Sequence, residues 1–189
     1  MNTLSFKILP TDESHDHEVR ILIDNSDLLG QDHLGIDPPE FFGQLSLETS
    51  GQILIGRCSC GVVGCDDYPV TVNIFDDKIS WTNNNGLNLE FDKSAYLKTI
   101  SIAKTDYSWE NKERRIERLT SDILKKTKTI NDYKFDWTSA RIKENVITVS
   151  YSKDGQQKLF EFNWDGQTAQ SALTGANRFL TQEQIKNAL

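Results

Sequence analysis

The sequence predicts an α+β fold: two antiparallel β-meanders with two central amphipathic helices and a C-terminal helical segment. Three observations predict it. Apolar and polar residues alternate in short runs over 52–82 and again over 133–164, the period of half-buried strands. Between them, 93–104 and 110–126 repeat apolar residues three and four apart, the period of a helix packed on one side. After 164 the helical period returns, with Ala169, Ala172, Leu173, Ala176 and Phe179 on one stripe. The 189 residues suffice for a single domain with a real core, with 1–92 and 93–189 as candidate subdomains.

Taken in order, 4–9 reads as an edge strand stopped by Pro10, 11–18 as a polar loop, and 19–24 as a stronger strand ended by the turn at 25–30. Residues 32–42, with Pro38, Pro39 and the Phe41-Phe42 pair, read as an irregular segment long enough to be functional. Strands follow at 52–57, 69–75 and 78–82, then a turn at 83–86 and an extended piece at 87–91. Asp92 is placed to cap a helix whose stripe is Tyr96, Leu97, Ile100 and Ala103. The second helix shows Ile116, Leu119, Ile123 and Leu124 on one face, with Glu110–Arg114 and Asp122–Lys126 as i,i+4 pairs. Its basic residues Lys112, Arg114, Arg115 and Arg118 are interleaved with Glu110, Glu113 and Glu117, which reads as a solvated face rather than a phosphate site. Strands at 133–142, 146–152 and 158–164 form the second meander, turned at 153–156, and a capping box at 181–184 points to a last short helix ending at Leu189.

The least ordinary chemistry lies at 56–67, which gathers all three cysteines, Cys58, Cys60 and Cys65, and three glycines into one hairpin turn. At i and i+2 on a strand Cys58 and Cys60 share a face, and if the four residues Gly61 to Gly64 are the loop, Cys60 and Cys65 oppose each other as a cross-strand pair. Zinc is one reading: three thiolates need a fourth ligand, with His33 the best placed and Asp66 or Asp67 as alternatives. A thiol redox pair of Cys60 and Cys65, with Cys58 resolving, is another, although no Cys-x-x-Cys motif accompanies it. Three small buried thiols that only pack are the third. The odd cysteine count fits a reducing compartment and not a secreted disulfide framework. His15 and His17, in the polar loop, are a weaker ligand pair.

No Ser-His-Asp order with a glycine elbow appears, nor a phosphate-cradling glycine loop, and Asp66-Asp67 and Asp76-Asp77 read as turn acids. No apolar run is long enough to cross a bilayer, and the first residues lack the order of a signal peptide, so the expectation is a cytoplasmic protein. The net charge of −7 is uneven: residues 1–92 carry −12 and residues 93–189 carry +5. The acidic half disfavours nucleic acid and suits a basic protein partner. The reading is therefore a non-enzymatic binding protein of the immunity type, with Asp32, Asp37, Glu40, Asp66 and Asp67 meeting the partner, against the metal or redox alternative at the cysteines.

Four stretches carry a resemblance: 53–65, Phe91-Asp92 with Tyr96, Ser108-Trp109-Glu110 with Glu113-Arg114, and Trp164-Asp165-Gly166. Together they resemble a family of uncharacterised bacterial proteins over most of the chain. The resemblance implies a bacterial cytoplasmic protein whose cysteine turn belongs to the fold, and it implies no activity.

Overall fold

The computed structural model describes residues 1–11, 16–60, 64–182 and 185–187. The fold is α+β with antiparallel sheets, and the chain divides into two compact units, Met1–Trp109 and Glu110–Leu189. No helix among the described residues is long and apolar enough to cross a membrane.

In the first unit β1 (Leu4–Pro10) pairs with β2 (His17–Ile23), Leu4 opposite Ile23 and Pro10 opposite His17. The turn into β3 (Ser26–Asp27) is Asp24-Asn25, both at positive φ, the two-residue turn whose twist matches that of the strands. The segment expected to be irregular is ordered: it contains β4 (His33–Gly35) and α1 (Pro38–Phe42). Its alternation is too short to register as a strand, and Pro38 serves as a helix-starting residue instead of a loop signal. The two phenylalanines anchor it, with Phe41 and Phe42 packed edge-on to Phe6 at 5.6 and 5.4 Å.

After a 3-10 turn at Leu45–Leu47, β5 (Gly51–Cys58), β6 (Tyr68–Ile74), β7 (Lys78–Thr82) and β8 (Asn88–Asp92) form the meander, with β4 on its other edge. A bridge between Val19 and Ile36 links β2 to the end of β4. At the far edge the Asn2 amide donates to the Glu90 carbonyl at 2.6 Å. The strands therefore curl round one core that includes Ile21, Ile53, Ile55, Val70 and Trp81. Helix α2 (Lys93–Thr105) adds Tyr96 and Ile100 to it, and Asp92 caps the helix by accepting from the Ala95 amide at 2.8 Å. The Trp81 indole donates to the Tyr96 hydroxyl at 3.2 Å. Burial pushes the Tyr96 phenol well above its usual range, so it stays neutral in the core.

The second unit opens with α3 (Lys112–Leu124), capped by Asn111, and continues through β9 (Thr127–Thr129), β10 (Lys134–Lys143), β11 (Val146–Lys153) and β12 (Gln156–Asn163). Asp154 and Gly155, at φ 49° and 75°, make the two-residue turn between β11 and β12. Helix α4 (Ala169–Gln182) keeps a glycine in its middle because a Cβ at Gly175 would lie 2.7 Å from the Phe162 ring. The last short helix is a misreading: Ile185–Asn187 is a strand, β13, paired with β9 at the edge of the sheet. Residues 183, 184, 188 and 189 lie outside the described residues.

The basic face of α3 also departs from expectation, because Arg114 is only 7% exposed. It pairs at 3.3 Å with Glu117, itself buried, which also accepts from Arg141 Nε at 2.8 Å and the Ala140 amide at 2.9 Å. Arg118 reaches back to Glu110 in a two-pronged pair at 2.7 and 2.9 Å. A helical period alone cannot separate a solvated arginine from one drawn inward by a buried carboxylate.

Candidate metal centre

The site is built on the edge where β4 meets β5. His33 lies directly opposite Cys58, and Gly35 opposite Gly56. Opposed residues in an antiparallel pair place their side chains on the same face, so the imidazole and the Cys58 thiol share one side of the sheet. The glycines make the close approach possible. A Cβ on Gly35 would collide with the Val19 backbone, and one on Gly56 would lie 2.8 Å from Leu29.

Two charged residues of β2 hold β4 in place. Arg20, 7% exposed, donates to the His33 carbonyl at 2.8 Å and to Asp27 at 2.7 and 2.9 Å, and it also reaches the Gly30 carbonyl. Glu18 accepts from the Gly35 amide at 2.5 Å. The sequence reading missed both. Their signal was available: an arginine inside the apolar run 19–23 has to be paired if that strand is buried.

Cys58 ends β5, while Cys60 lies in the turn and Cys65 in the bend before β6. The shared strand face and the cross-strand pair expected for the cysteines are therefore replaced by a turn that brings the sulfurs together. The three Sγ atoms lie within 4.8 Å of one another. Cys58 is half-buried and Cys60 and Cys65 are exposed, which overturns the reading of three buried packing thiols. The Cys60 amide points at Cys58 Sγ at 3.4 Å. Hydrogen bonding to Cys60 and then Cys58 pushes the Cys65 thiol up to about 11.

The four-residue loop expected between Cys60 and Cys65 includes Gly61, Val62 and Val63, which lie outside the described residues, as does His15. His17 begins β2, its ring 5.0 Å from that of Trp109. His33 is 20% exposed, its Nε2 3.6 Å from Asp66 Oδ2 and its ring 5.1 Å from Tyr68. Among the described residues the close ligand group contains the three sulfurs and not the imidazole. Of the acids expected to meet a partner, Asp32 and Asp66 are exposed, and Asp67 accepts from the Gly64 amide at 3.3 Å. Glu40 is paired with Arg57 at 2.5 Å, and Asp37 is half-buried at the start of α1.

Chemically, the arrangement is a three-sulfur cluster on a sheet edge with an imidazole and a carboxylate beside it. Three thiolates that close together can hold a metal ion. The chain matches no known protein family, no curated protein and no solved structure.

Proposed function

We propose that this chain is a zinc-binding protein, the ion held by Cys58, Cys60 and Cys65 with His33 as fourth ligand. The observation that carries the reading is the convergence of the three sulfurs within 4.8 Å, Cys58 half-buried and Cys60 and Cys65 exposed. A tetrahedral ion with Zn–S bonds of about 2.3 Å needs its sulfurs about 3.8 Å apart, so the cluster has only to tighten. His33 sits on the same face as Cys58, and turning its ring from Asp66 toward the sulfurs completes the four ligands. Thiolate and imidazole donors favour zinc over magnesium or calcium, which take oxygen.

Metal analysis of protein purified without an affinity tag tests it. One zinc per chain is expected, with protons released on uptake and affinity falling as pH is lowered, because the thiols must ionise to bind. Substoichiometric zinc that cannot be restored by added Zn²⁺ would sink the reading.

A second reading, capture of a basic protein, is favoured by the charge of the first unit: residues 1–109 hold 17 acids against 7 bases, a net −10. Asp32 and Asp66 stand exposed on it. Pull-down from native lysate is expected to return a basic protein whose capture weakens between low and high salt; salt-insensitive capture speaks against this reading.

A further inference from the structure

The three sulfurs are not held alike. Cys58 is fixed by the strand ladder, half-buried, with its sulfur facing the Cys60 amide. Cys60 and Cys65 are exposed and lie beyond the ends of β5 and β6, outside the ladder that fixes Cys58. Their sulfurs lie within 4.8 Å, and a disulfide needs about 2.05 Å, so closure is a movement of less than about 3 Å. Gly64, adjoining Cys65, is at φ +76°, and a Cβ there would meet no described atom within 4 Å.

From this asymmetry we propose that the site is a peroxide-responsive metal switch: hydrogen peroxide joins Cys60 to Cys65 as a disulfide and expels the bound zinc. The inference rests on the zinc reading of the same site. Two zinc-bound thiolates supply two electrons. The S–S bond forms as the peroxide O–O bond breaks, the two oxygens take up two protons from solvent, and they leave as two waters. The ion is left with Cys58 and one neighbouring imidazole, too few donors to hold it, and Zn²⁺ departs. Peroxide reaches the pair because both sulfurs are exposed, whereas Cys58 is shielded by its place on the strand. A reducing thiol returns the pair to the binding state by exchange.

The test uses the full chain loaded with zinc and treated with hydrogen peroxide. Released metal is read with a chromogenic chelator, and cysteine pairing by alkylation and peptide mapping. The expected result is one zinc released per Cys60–Cys65 disulfide formed, reversed by dithiothreitol. Cys58→Ser is expected still to form that disulfide, and Cys65→Ser to form none. Retention of zinc under excess peroxide, or a disulfide made mainly through Cys58, overturns the switch while leaving the zinc reading standing. If the untreated protein takes up no zinc, the metal reading fails first and the switch fails with it, before any peroxide is added.

Discussion

Cys65→Ser is expected to lower zinc affinity by more than about 100-fold, because changes to groups behind a metal ligand already cost about 10- to 100-fold and this change removes a ligand outright. A serine hydroxyl does not ionise near neutral pH, so it cannot replace the thiolate. Since Cys65 is exposed, the same variant should keep its urea midpoint in the absence of metal. His33→Ala should show a comparable loss, whereas Asp66→Asn should change affinity by less than about 10-fold, because the ring turns away from that carboxylate to reach the ion. Competition against a zinc indicator separates these outcomes. Equal affinity in wild type and Cys65→Ser would place the ion elsewhere.

Glu117→Ala should destabilise the protein by about 3–5 kcal/mol, the cost of breaking a buried ion-pair network by removing one member. The carboxylate is 6% exposed, and it accepts from Arg141, Arg114 and the Ala140 amide. Removing it takes a buried acceptor from Arg114 and Arg141 together and leaves the Ala140 amide without its carboxylate partner. By contrast, Asp122→Ala breaks the exposed Lys125–Asp122 pair and should cost less than about 1 kcal/mol. Urea unfolding of the two variants makes the comparison. A Glu117→Ala loss no larger than that of Asp122→Ala would show that the buried network contributes little.

Local chemistry determined much of this molecule. Alternation located the arms of the cysteine hairpin and strands of both meanders, because successive residues of a strand such as β6 or β12 face more and less buried sides in turn. Asp92 is the cap it was expected to be, because a short carboxylate before an apolar helical period satisfies the first free amides. The nearness of the three cysteines also followed from spacing, since a hairpin turn returns the chain on itself. Regions where partners lie far apart in sequence were illegible. The strand at Ile185–Asn187 exists because β9, more than fifty residues earlier, offers an edge. The β4 strand exists because Arg20 and Glu18 of β2 bond its backbone and because Gly35 and Gly56 let it approach.

The division runs through the candidate site itself. From sequence alone came the cluster of Cys58, Cys60 and Cys65 on one turn and the nomination of His33. Only the tertiary structure decided that the thiols are accessible rather than packed, and that His33 stands across the sheet from Cys58 with Asp66 against its ring. Exposure depends on what the rest of the chain leaves uncovered, and register depends on the pairing of strands distant in sequence. Neither quantity is a property of a short stretch of residues. The chemistry at 58–65 is therefore written locally, while its access and the register that sets His33 opposite Cys58 are decided by the fold.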